Sequence, residues 1–344
     1  MIRARLRSLR PDFLIILAYL ILPLWLYASV TIGSRTMLPA DNLFQWPPWR
    51  ASAAELGLST SGVVTPHNAL ISDLIIQNYA WKNFVLTSLS EGDLPLWNPY
   101  LFAGAPFLAN GQHAALYPFG LVFLVVPLAK AYGWFALSQV WLAGVSMYLF
   151  GRILGMRRGG AALSGFVYQG AQFLVISAAV FPMIAAAVVW LPFLLGCIDR
   201  VVVTANGPAE RRGRAILWLA AGAIALGCQV LAGHAEFTYY TLLIMALFAA
   251  WRILIEVRNS RDEIRAADRA TKEPRAPNST LVSRALHLAL WLSAMVATGL
   301  LIGSLQLVPL VEVGRVNFRA GSASFEEVRG WAYPPRNALT FLLP

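Results

Sequence analysis

The residues best suited to chemistry lie in three stretches: LPADNLFQWPPWR, PHNALISDLIIQNYAWKNF and EGDLPLWNPYLFAGAPFLANGQHAALYPFG. Together they supply the carboxylates Asp41, Asp73, Glu91 and Asp93, the rings of Trp46, Trp49, Trp81, Trp97 and Tyr100, the amides of Asn98, Asn110 and Gln112, and His113. Aromatic rings beside carboxylates and amides suit a sugar, because rings cover its apolar face while polar groups take its hydroxyls. Trp and Tyr also form belts at membrane boundaries. For Trp46 and Trp49 both readings stand, whereas Trp97 and Tyr100, in a Pro- and Gly-rich stretch, read as site-building residues.

A second constellation is His234 and Glu236 in LAGHAEFTYY. Polar groups at membrane depth are costly unless they face a cavity or a partner, so the pair reads as a metal or phosphate contact or as a solvated turn. Two ligands two residues apart do not define a metal site, and a divalent cation is left open. Arg315 and Arg319 read either as partners for a lipid phosphate or as plain surface charges.

The elements that must position these residues follow from composition. The chain is 58% hydrophobic and 13% charged, with a mean hydropathy of +0.61. That is about half the charge of a soluble domain, so the expected class is an all-α integral membrane protein. A span needs about 20 apolar residues, which places spans near 13–33, 131–151, 160–179, 181–198, 214–233, 237–255 and 285–308. Arg3, Arg5, Arg7 and Arg10 before the first span hold the N-terminus in the cytoplasm, and that span is too long for a signal peptide. The net charge of +10 does not indicate nucleic acid, because the arginines cluster between apolar runs as topology determinants do. Arg152, Arg157 and Arg158, then Arg200, Arg211, Arg212 and Arg214, then the run from Arg252 to Arg284 fall on alternate links. Residues 34–114 hold Arg35, Arg50 and Lys82 against five acidic residues. Residues 34–130 are therefore expected to form a large extracytoplasmic loop. Within it, Ala115 to Leu128, short and flanked by Pro118 and Pro127, is a re-entrant or interfacial helix. Residues 256–284, with mixed charges, Pro274 and Pro277, read as a flexible cytoplasmic linker. Cys197 and Cys228 lie in apolar segments and define no disulfide framework.

WNPYLFAGAPFLANGQHAALYP, preceded by SDLIIQNYAW and followed by GRILGMRRGGAALSGFVY, resembles the bacterial YfhO-like membrane proteins, which are related to the GT-C glycosyltransferases. LAGHAEFTYYTLL and LQLVPLVEVGRVNFRAGS fit the same pattern. The resemblance implies a multi-pass protein of the bacterial inner membrane that uses polyprenyl-phosphate-linked sugars on the extracytoplasmic side. It also implies that the key loop carboxylate is the Asp of D-x-x-x-Q-x-Y, here Asp73 with Gln77 and Tyr79, acting as base toward an acceptor hydroxyl. Asp41, nearer the first span, is the rival, and either residue reads alternatively as a helix N-cap. Chains of that family are commonly longer, so this one is expected to be the N-terminal part of a larger protein.

Two functions follow as expectations. One is a glycosyltransferase moving a sugar to an envelope glycan, lipid or protein acceptor. The other is a non-catalytic protein that binds lipid-linked glycans or helps to transport them. No phosphate-binding loop of the G-x-x-x-x-G-K-[ST] type is present, and no repeat marks an ion-coupled carrier.

Overall fold

The computed structural model describes residues 2–58, 65–271, 278–316, 324–330 and 332–341. Long apolar runs become helices because a helix satisfies its own backbone in lipid. Among the described residues, six helical stretches are long and apolar enough to cross a membrane: Arg10–Thr31, Leu128–Ile153, Pro182–Ala205, Glu210–Leu231, Ala235–Ala266 and Leu281–Ile302. A further pair, Arg158–Gln169 and Gln172–Val180, is bent by 45°. The chain is an all-α, multi-pass membrane protein.

The helices pack around a shared core in which Leu194, Ile198, Leu226, Met245, Leu288 and Met295 are buried together. Small residues bring the helices close, as lipid-embedded packing favours: a Cβ at Gly165 would lie 2.2 Å from the Tyr19 hydroxyl.

Two ends of the bundle are distinguished by contacts. At one end Asp12 pairs with Arg152 at 3.2 Å and Arg158 at 2.9 Å. Asp199 likewise pairs with Arg200 and Arg252, each at 2.7 Å. This is the arginine end. At the other, the loop end, Thr36 donates to the Ala129 carbonyl at 2.6 Å, and the loop enters the bundle. Tyr117, Phe123 and Leu74 are buried with Tyr132, Phe135, Ala186 and Ala232. The Tyr117 hydroxyl donates to Gln139 Oε1 at 2.8 Å.

Three expectations about the elements change. The segment from Ala115 to Leu128 is not one helix but a 3₁₀ turn, Pro118–Leu121, a single α turn, Val122–Val125, and an extended step at Val126. Its two prolines punctuate it, since the residue before proline is pushed out of the helical region. Residues 256–271 are not a flexible linker: the helix Ala235–Thr271 runs through them. Arg258, Asp262 and Arg265 are spaced at helical intervals that favour pairing. Residues 285–308 do not form one span either, because the helix stops at Ile302 and restarts at Ser304 after Gly303.

Candidate functional site

The polar residues of the loop end are held by three chain crossings. A two-residue hairpin pairs Trp97 with Pro106 and Asn98 with Ala105. Its tip needs left-handed backbone at Phe102, Ala103 and Gly104, with φ of 51°, 61° and 114°. The Asn98 side chain accepts from the Tyr100 amide at 2.9 Å, fixing the turn. The Trp97 indole lies over Gly104, where a Cβ would come within 2.6 Å of the ring, so Trp97 serves the hairpin first.

Beyond the hairpin the chain meets the turn between two spans. Gly233 and Gly111 touch backbone to backbone: a Cβ on Gly233 would lie 1.9 Å from the Gly111 carbonyl oxygen. Both glycines have positive φ, +85° and +74°, a region that L-residues other than glycine seldom adopt. The third segment is the helix Ser304–Arg315, whose Gln306 donates to the Leu108 carbonyl.

This junction forms a pocket of about 240 Å³ whose lining includes Asn110, Gln112, His234, Glu236, Thr238 and Gln306. Two lining atoms are buried without a partner among the described residues, His234 Nδ1 and Gln306 Oε1. Gln306 is only 2% exposed. A buried polar atom left unpaired costs about 1–3 kcal/mol, so these two atoms mark the junction as incompletely satisfied behind the pocket wall. Burial holds the His234 imidazole below its ordinary value, against the opposing charge of Glu236. His234 is therefore neutral near pH 7. Glu236 accepts from Tyr240 at 2.8 Å, one turn along the helix.

A separate, wider cleft of about 840 Å³ is lined by Gln77, Tyr79, Trp81, Asn98, Tyr100 and Phe102. Tyr100 is 83% exposed, its ring set edge-on to Phe84 at 6.2 Å. Trp46 and Trp49 line a neighbouring hollow that shares Tyr79.

The expected site residues thus divide. Asn110, Gln112, His234 and Glu236 meet in the pocket, whereas Gln77, Tyr79, Asn98 and Tyr100 meet in the cleft. Trp97 lines neither.

His113 is withdrawn from ligand contact. It is 0% exposed and stacked on Phe107 at 4.3 Å. Its Nδ1 accepts from the Ala115 amide at 3.0 Å, so Nε2 carries the proton and donates to the Phe107 carbonyl at 3.0 Å. Burial, with the nearby Lys82 charge, lowers its pKa to about 4.

The two candidate bases also line neither cavity. Asp41 accepts from the His67 amide at 2.6 Å, stapling two loop stretches. Asp73 accepts from Gln77 at 3.2 Å and makes no cap bond, so its N-cap alternative is not realised. Asn68 caps that region instead, through the Leu70 amide at 2.9 Å. Arg315 is exposed at its helix end, and Arg319 lies outside the described residues.

Gln306 and Thr238 did not stand out in the sequence. The signal for Gln306 was an amide within an apolar run, which is expensive without a partner. Among the described residues, no three His, Cys, Asp or Glu side chains gather as a metal-binding group. Compared with protein-family models, curated proteins and solved structures, the chain matches none.

Proposed function

We propose that the chain is a GT-C-like glycosyltransferase of the bacterial inner membrane, with seven spans, a cytoplasmic N-terminus and the loop end outside. It takes a sugar from a polyprenyl-phosphate-linked donor and passes it to an envelope glycan, lipid or protein acceptor. The observation that carries this reading is the meeting of Asn110, Gln112, His234, Glu236 and Gln306 around one pocket at the loop end. Amides bind sugar hydroxyls, and the exposed Glu236 carboxylate beside the His234 imidazole can take the acceptor proton. The open aromatic cleft offers rings for sugar faces. In this reading the base moves to His234 and Glu236. Asp73 acts by holding Gln77 at the cleft, and the YfhO-like motif around Trp97 and Asn98 builds the hairpin between them.

Seven spans require the bent pair to cross as one. Single cysteines at Leu58 and Arg261, in a background lacking Cys197 and Cys228, test the orientation. Label applied outside intact cells should reach the first, and the second should need permeabilised cells.

Activity is tested by following labelled sugar from a polyprenyl-phosphate donor into envelope lipids with purified protein. Glu236→Gln and His234→Ala should each lower transfer by about 10²–10⁴-fold, and Asp73→Asn by much less. Collapse in Asp73→Asn with normal Glu236→Gln would return the base to Asp73.

One observation favours the second reading, a glycan binder or transport partner without catalysis. Neither Lys nor Arg lines the pocket or the cleft, whereas a departing lipid phosphate calls for a cation. Glycan binding without transfer by the unmutated protein would establish that reading.

A further inference from the structure

Lys82 lies on the side of the helix Tyr79–Ser90 away from the aromatic cleft. It is 8% exposed. Its amine is 3.5 Å from the Ala114 carbonyl and 4.6 Å from the centre of the Phe123 ring. None of the ion pairs among the described residues includes it. The titratable groups facing it are His113, which is buried and neutral, and the Tyr117 phenol in the wall of the same cavity. Burial of a lone ammonium is expensive, and the group either loses its proton or acquires an anion. Here desolvation lowers the amine to about 7, and an anion beside it would favour the charged form.

Lys82 lines a cavity of about 160 Å³ with Leu86, Leu89, Tyr117, Leu121 and Leu124. Its amine lies at the inner end, against the Ala114 carbonyl, which flanks the recess, and the Phe123 ring, which lines it. The rim is apolar yet uncovered: Leu89 is 40%, Leu121 63% and Leu124 51% exposed. Leu121 and Leu124 immediately precede the span that begins at Leu128, and Leu89 faces the same cavity from the helix Tyr79–Ser90, so the mouth of the cavity sits where the membrane surface meets the protein. A cationic floor under an apolar rim at that level matches a molecule with an acidic head and a hydrocarbon tail.

We infer that Lys82 and its cavity bind the anionic headgroup of a membrane amphiphile, whose chain leaves along Leu89, Leu121 and Leu124. The site is separate from the junction pocket and from the aromatic cleft, and its occupant is a lipid rather than a free anion.

The chain has three lysines, Lys82, Lys130 and Lys272, so side-chain ¹³C labelling of lysine gives few signals to assign. The chain in neutral maltoside micelles is titrated with dodecyl phosphate, with dodecanol, and with inorganic phosphate. Dodecyl phosphate should move the Lys82 signal toward its protonated position at pH 8. Lys82→Met should weaken dodecyl phosphate binding by at least about tenfold, the value of one charge-assisted bond, and Lys82→Arg should retain it. Lys82→Met replaces the buried amine with an apolar group of similar length, and the titration of the unmutated chain needs no variant. An unmoved Lys82 signal at saturation overturns the proposal, as does equal binding by Lys82→Met. The same shift with inorganic phosphate alone, or with dodecanol, overturns the assignment to an anionic amphiphile.

Discussion

The pocket and the cleft are built in opposite ways. The cleft is made by one stretch of chain, from Ile76 to Phe102, and its rings stand open to solvent. The pocket is made by three stretches, around Gly111, Gly233 and Gln306, and it hides unpaired polar atoms. An open aromatic surface tolerates change, because each ring contributes on its own. A junction of three segments does not, because each wall depends on the other two. This difference predicts where substitutions matter.

The sharpest test compares two glycines with nearly equal backbone angles. Gly233 and Gly92 have φ of +85° and +84°, but a Cβ on Gly92 meets nothing within 4 Å. Gly92→Ala should cost only the strain of a left-handed alanine, about 1 kcal/mol. Gly233→Ala must also separate two backbones and should cost several times more, with loss of ligand binding in the pocket. Thermal unfolding of both purified variants decides the matter, and equal costs would break the contrast.

The pH response comes next. His113 forms the inner wall of the loop, and its folded pKa of about 4 lies below the unfolded value of about 6.5. The unfolded chain therefore binds the proton first. The stability His113 provides is complete above about pH 6.5 and is lost as the pH falls toward about 4, by an amount of the order of 2–3 kcal/mol. His234, also lowered, acts in the same direction. A melting temperature that stays flat between pH 6.5 and 4 would contradict this placement of His113.

Gln306→Leu should cost no more than about 1 kcal/mol net, because the Leu108 carbonyl loses its donor while the unpaired buried Oε1 is removed as well. Restoration of the melting temperature by Gln306→Asn would show that the bond is not sensitive to reach. At the small end, Tyr100→Ala should leave stability within about 0.5 kcal/mol, while weakening sugar binding by a few-fold. A large stability loss at this exposed ring would mean that the cleft, too, is a cooperative junction.

The same contrast explains what was legible in the sequence. Spans announce themselves because lipid demands long apolar runs, and the cleft residues lie near one another along the chain. The meeting of Asn110 and Gln112 with His234 and Glu236 follows no spacing rule, although both groups were visible separately. Gln306 was hidden because one amide in LQLVPL carries no periodic signal. The carboxylates misled for a related reason. Asp41 and Asp73 have the right chemistry, but their partners, the His67 amide and Gln77, were chosen by tertiary structure. The bend near Gly170 and the break at Gly303 were missed because apolar composition continues through both.

The helix that begins beside the pocket has a mechanical side. Ala235–Thr271 is 37 residues long, or about 55 Å at roughly 1.5 Å per residue. A hydrocarbon layer of about 30 Å leaves some 25 Å of it projecting past the arginine end. Glu236 and Thr238 occupy its first turn, at the pocket wall. One unbroken helix thus joins the pocket wall to the polar stretch that follows Glu256. A tilt of about 5° at the pocket moves the far tip by roughly 5 Å over that length.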